Sequence, residues 1–190
     1  MKTKLALLLA LVGTLLALPS QAQVCIDFGP PPPLGTTYGA PVGQSSGDLA
    51  FSTNGIDAYV YNFALLPAGT AFYRAYTHMA PVSLPGQSLR TIYINMLFDL
   101  RSLGFIVRKV TLSYLDLGGY ENLAVNASGV YRGQLAAAPA VLGNANVSVT
   151  SAATPPPVSG RTGTVTITGS DIKSFMIGGQ EFWIDNVCAQ

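Results

Sequence analysis

Short runs in which apolar and polar residues alternate fill the chain from Val24 to Cys188. The cleanest is Thr91 to Asp99. There Ile92, Ile94, Met96 and Phe98 fall on one side and Thr91, Tyr93, Asn95 and Asp99 largely on the other, the period of two that marks a half-buried strand. Val107 to Leu115 repeats it, with Val110, Leu112 and Tyr114 turned inward. Shorter versions occur at Val24 to Phe28, Leu49 to Ser52, Ile56 to Phe63, Ala71 to Tyr76, Glu121 to Val125 and Val130 to Leu135. Val/Thr-rich segments at Asn144 to Ser151 and Gly163 to Thr168 follow, then Ser174 to Ile177 and Glu181 to Cys188.

Turn chemistry separates these runs. Asn54-Gly55, Asp116-Leu117-Gly118-Gly119 and Asn126-Ala127-Ser128-Gly129 supply residues that tolerate positive φ, as tight strand connections require. Two proline runs, Pro30 to Pro33 and Pro155 to Pro157, suit neither helix nor ladder. No window of a dozen residues has a helical apolar period. Leu97 to Phe105 comes nearest and would make one or two turns. About ten short antiparallel strands with turn signals between them predict an all-β fold, a single β-sandwich over residues 23–190, with the jelly roll as its expected form.

The start of the chain changes the compartment. Lys2 and Lys4, the apolar run Leu5 to Leu18 and the ending Pro19-Ser20-Gln21-Ala22 have the form of a secretory leader over residues 1–22. Its removal would leave about 168 residues, enough for one domain with a real core. The apolar run is too short to span a membrane, and no later one approaches the roughly 18 residues needed, so no membrane insertion is expected. An outer-membrane barrel is disfavoured by the proline runs and by the ending Cys188-Ala189-Gln190 in place of an aromatic residue. In an exported chain, the two cysteines predict one disulfide, Cys25 to Cys188, closing first strand onto last. Without Lys2 and Lys4, eight Lys/Arg face nine Asp/Glu. Such a balance gives no electrostatic basis for nucleic acid as a partner.

Candidate chemistry is sparse. Leu115 to Leu123 and Phe175 to Trp183 share a pattern of strand, Gly-Gly, any residue, Glu, strand, and Glu121 and Glu181 are the only glutamates. Matching hairpins could place both carboxylates, with Tyr120 beside Glu121, at a rim where a ligand sits. At the chain ends, pairing Cys25 with Cys188 would set Asp27 opposite Asn186, with Asp185 on the other face. Together with loop carbonyls, these three could supply the oxygen ligands of a structural Ca²⁺.

The ending Gly178-Gly179-Gln180-Glu181-Phe182-Trp183-Ile184-Asp185-Asn186-Val187 resembles the final strand of galactose-binding-like jelly rolls, a superfamily rich in carbohydrate-binding modules of bacterial exported proteins. The resemblance covers about fifteen residues at the two ends. It implies a structural calcium joining the last strand to the start of the domain, with Asp27, Asp185 and Asn186 as its residues, and a glycan as ligand. Tyr59, Tyr61 and Phe63 share a strand face, as core lining or as a sugar platform.

Motifs for hydrolysis fail on context. Gly43-Gln44-Ser45-Ser46-Gly47 lacks the strand before and helix after that a nucleophile elbow needs, and Ser170-Asp171-Ile172-Lys173 lacks its companion motifs. His78 is the only histidine, which excludes a His-rich zinc site. The expected function is therefore a secreted, non-catalytic binding module for extracellular glycan. A structural or adhesive protein of the cell surface is the alternative, and a glycan-active enzyme built on Glu121 and Glu181 is a third reading.

Overall fold

A computed structural model describes residues 22–30 and 32–190, so the leader expected over residues 1–22 lies outside them except for Ala22. In chain order the strands are β1 (Val24–Ile26), β2 (Thr37–Gly39), β3 (Leu49–Thr53), β4 (Ile56–Ala64), β5 (Thr70–Ala71) and β6 (Arg74–Met79). They continue with β7 (Gln87–Ile92), β8 (Ile94–Asp99), β9 (Lys109–Asp116), β10 (Glu121–Val125), β11 (Tyr131–Gly133) and β12 (Val141–Leu142). The last are β13 (Ala145–Ala153), β14 (Arg161–Thr168), β15 (Ser174–Gly179) and β16 (Phe182–Ala189). Short 3-10 turns stand at Ala40–Val42, Arg101–Leu103 and Leu135–Ala137. The second of them is all the helix that forms between Leu97 and Phe105.

Two antiparallel sheets pack as a sandwich, an arrangement compatible with a jelly roll. The first sheet has nine strands in the order β12-β13-β14-β9-β16-β7-β6-β2, with β1 on β16. The second has seven, β11-β10-β15-β8-β4-β3, with β5 on β4. The strands outnumber the ten or so expected because two-residue and three-residue pieces carry no periodic signal of their own.

Inward residues repeat every second position. Val110, Leu112 and Tyr114 of β9, Val165 and Ile167 of β14, and Phe182 and Ile184 of β16 meet Val60, Met96, Phe98, Leu123 and Ile177 of the other sheet in one buried cluster. Phe98 stacks on Phe175 with centroids 4.9 Å apart, and Tyr114 on Phe182 at 5.7 Å. Full burial of side chains this size is worth about 1.5–3 kcal/mol each.

The run from Thr91 to Asp99 is not one strand. Tyr93 takes a left-handed backbone with φ 50°, ending β7 in the first sheet and starting β8 in the second. Ile94, Met96 and Phe98 are buried as their alternation requires, while Ile92 belongs to the other sheet and is only partly covered. Among the described residues no helix is long and apolar enough to cross a membrane.

Candidate functional site

Both Gly-Gly-x-Glu segments are corners where the chain changes sheet, β9 to β10 and β15 to β16. They lie side by side. Glu121 pairs with Gly179, Asp116 with Phe182, and the Leu117 N–H donates to the Glu181 carbonyl at 3.0 Å. At that shared end their glutamates part.

Glu121 opens β10 on the same face as Leu123 and Val125, and is fully buried. Asp116, the last residue of β9 and on the face of Tyr114 and Leu112, approaches it from the opposite sheet and is 4% exposed. Glu121 Oε2 accepts the Leu135 N–H at 3.0 Å, and Asp116 Oδ1 accepts the Gly118 N–H at 2.8 Å. Burial, then the charge of Asp116, pushes the Glu121 carboxyl up to about 8. Burial raises Asp116 as well. Glu121 Oε1 meets no protein donor. Two carboxyls brought together out of water favour keeping a proton on the pair over ionising both. Arg161, Tyr114 and Tyr131 are the other ionisable groups whose interactions reach the pair.

Glu181 turns outward. Its side chain is 53% exposed and accepts from Arg90 Nη2 at 2.9 Å. Arg90 also donates to the Tyr76 hydroxyl at 2.6 Å and stacks over the Trp183 ring at 4.4 Å. Trp183 is covered by Leu84 and Leu115 and packs on the outer face of the first sheet. Glu121 and Glu181 thus share an end of the sandwich but face no common cleft.

Tyr120 is a strut. Its hydroxyl accepts the Leu66 N–H at 2.6 Å, and its ring lies 5.5 Å from Phe63. With the Arg132 bond to the Leu65 carbonyl at 3.2 Å, and Asn122 bonded to both the N–H and carbonyl of Ala64, it holds the end of β4 across the second sheet.

At the chain ends the Cys25–Cys188 disulfide forms, and the two cysteines are directly paired in register. A bulge follows the expected geometry only in part. Between Asp185 and Cys188 the pairing with β9 slips by one residue, and Asn186 is exposed with φ 49°. Regular alternation would separate Asp185 from Asp27. The bulge instead brings the Asp27 charge within reach of Asp185, whose carboxyl is raised to about 6, mainly by burial. Asp185 Oδ1 accepts the Asn186 N–H at 2.8 Å, and Asp27 Oδ1 the Gly29 N–H at 3.1 Å. Among the described residues no three His, Cys, Asp or Glu side chains come together as a metal-binding group. Asp27 and Asp185 fit a cation in charge, but they are two carboxylates where calcium takes 6–8 oxygens.

The motifs for hydrolysis find no partners. His78 is exposed and bonds the Met79 carbonyl, and Ser45 sits in a loop where its N–H donates to Asp48.

A cleft that the sequence did not indicate lies on the outer face of the second sheet. Tyr61, Leu97, Asp99, Arg101, Asn126, Ala127, Lys173 and Ser174 line a volume of about 470 Å³. Tyr61 is 36% exposed, whereas Phe63, two residues on, is buried against the Tyr93 and Tyr120 rings. Arg101 forks onto both Asp99 oxygens, and this hydrogen bonding holds the Asp99 carboxyl below its usual range. Asn126, left-handed at φ 52°, accepts the Lys173 and Ser174 N–H groups at 2.8 and 3.3 Å and fixes the rim. Only the alternation of Tyr59 and Tyr61 pointed here; Asp99, Arg101 and Lys173 come from separate segments. Compared with protein-family models, curated proteins and solved structures, the chain matches none.

Proposed function

We propose that this protein is a secreted, non-catalytic module that binds extracellular glycan in the cleft on the outer face of the second sheet. The observation that carries the reading is the exposed Tyr61 ring in a concave site beside the forked Asp99–Arg101 pair. Sugars present C–H faces that stack on such a ring and hydroxyls that a preoriented carboxylate and guanidinium can bond. Because Arg101 and Asp99 already hold each other, little side-chain entropy remains to be lost on binding. The leader-like start and the Cys25–Cys188 disulfide support an extracellular or periplasmic location.

The test is binding of the mature protein to an array of microbial and plant polysaccharides, followed by titration with the best oligosaccharide. Tyr61→Ala should weaken that binding about tenfold or more while the melting temperature holds, since the ring stands on the outer face of β4, away from the core. Equal binding by wild type and Tyr61→Ala would sink the assignment of the cleft. No signal on any glycan would remove the reading itself.

A structural Ca²⁺ anchored on Asp185 and Asp27 belongs to the same proposal, because a divalent cation would relieve the repulsion between two carboxylates at the disulfide-tied chain ends. EDTA should then lower the melting temperature of the wild type but not of Asp185→Asn. An unchanged wild-type melt would dismiss the ion.

A further inference from the structure

We infer that the free edge of β13 pairs antiparallel with the same edge of a second copy, joining two sandwiches through one continuous sheet. A sheet edge presents unpaired N–H and C=O groups, and proteins usually blunt it. Among the described residues, three of the four edges that end the two strand orders are blunted. β2 and β11 have three residues each, and Gly133 closes β11 with φ 152°. The β3 edge carries a register shift between Leu49 and Phe51.

The fourth edge differs. β12 covers β13 only at Ala145 and Asn146, so among the described residues no strand pairs with the outer side of β13 beyond Val147. The Val147 N–H donates to the Ala140 carbonyl at 2.9 Å, away from β14, whereas the Thr154 N–H donates to Gly160 at 3.1 Å, on the β14 side. Alternation therefore turns the N–H and C=O groups of Val149, Ser151 and Ala153 to the open edge. The strand reads Ala-Asn-Val-Ser-Val-Thr-Ser-Ala-Ala, with no charge and no proline. It has none of the devices that keep edges apart.

A second copy is the occupant that fits. With Ser151 on a two-fold axis, Val149 of one chain faces Ala153 of the other, and about six ladder hydrogen bonds form. Thr150 then lies opposite Ala152, small against small, with no like charges facing. An isologous contact of this kind closes on itself, giving a dimer rather than a filament. The short edge makes it concentration-dependent. Pro155 to Pro157 stop the ladder from running further.

The experiment is analytical ultracentrifugation of the mature protein from about 1 μM to about 1 mM, with amide exchange read at both ends of the range. The expected result is a monomer–dimer equilibrium in which the Val149, Ser151 and Ala153 amides slow as concentration rises. Ala153→Pro removes an N–H that the alternation turns to the open edge, and should weaken dimerisation at least tenfold with circular dichroism unchanged. Ala152→Lys, on an exposed position, should do the same by setting two lysines near the axis. Tyr61→Ala should leave the dimer intact, which separates this inference from the glycan cleft. A monomer at every concentration would overturn it. So would a dimer untouched by Ala152→Lys in which the three amides still exchange freely.

Discussion

The two Gly-Gly-x-Glu corners share letters, position and neighbours, yet each residue type does opposite work in them. Gly118 and Gly119 have φ of 135° and 91°. Gly118 has open space around it and serves only a backbone conformation that other residues rarely adopt, while Gly119 combines such a conformation with close packing against the Gln180 side chain. Gly178 and Gly179 lie within the extended strand β15. They are there for space: a methyl group on Gly178 would collide with the Ile94 carbonyl oxygen, and one on Gly179 would lie 2.5 Å from Phe182 Cβ. The glutamates diverge in the same way. Glu121 falls on the inner face of its strand beside Asp116, where burial raises its carboxyl. Glu181 precedes its strand and reaches solvent and Arg90. A motif of turn residues thus specifies a corner but not which side of the sheet its charge occupies.

The largest expected effect separates the glycines. Gly178→Ala should cost about 3 kcal/mol or more, because the obstacle is backbone and neither strand can retreat without breaking the ladder. Gly118→Ala meets open space and should cost only the backbone strain, about 1–3 kcal/mol. Urea midpoints of the two variants decide the matter, and the reverse order would break the distinction between space and conformation.

The glutamates differ next in their response to pH. The folded-state carboxyl of Glu121 titrates near 8, against an ordinary value of 4.5. Between those values the folded chain keeps a proton that the unfolded chain has released, so the stability that Glu121 contributes is fully present below about pH 4.5 and is lost as pH rises through about 8. The melting temperature should fall over that window and fall less in Glu121→Gln, an isostere that stays neutral and can still accept from Leu135. Parallel pH profiles for the two proteins would mean that the pair does not hold its proton.

Much of this could be read before the structure. Period-two alternation identified most strands, and the two cysteines gave the disulfide, because both signals are local or unique in the chain. Failures came where one residue redirects the rest. Tyr93 splits a seemingly unbroken strand between two sheets, and the bulge at Asn186 sends Asp185 to the face shared with Cys188. Left-handed backbone at tyrosine has no sequence signature, and tertiary pairing imposes it. The cleft around Tyr61 was illegible for another reason. Its residues come from β4, from β8 and the turn that follows it, and from the loops at Asn126 and Lys173, so no spacing connects them.

The smallest effect belongs to Glu181. Its bond to Arg90 is well formed, but half the carboxylate faces water, and exposed pairs of this kind are worth about 0.2–1 kcal/mol. Glu181→Gln should therefore shift the urea midpoint only slightly, and the shift should shrink in high salt as screening removes what the pair contributes. Arg90→Ala should cost more than Glu181→Gln. The guanidinium covers the Trp183 ring and bonds the Tyr76 hydroxyl, so its loss uncovers packed surface whether or not Glu181 is present. A double-mutant cycle between the two isolates the ionic part from that packing. A coupling above about 2 kcal/mol would place Glu181 in the class of buried pairs, and the contrast between the corners would then rest on their glycines alone.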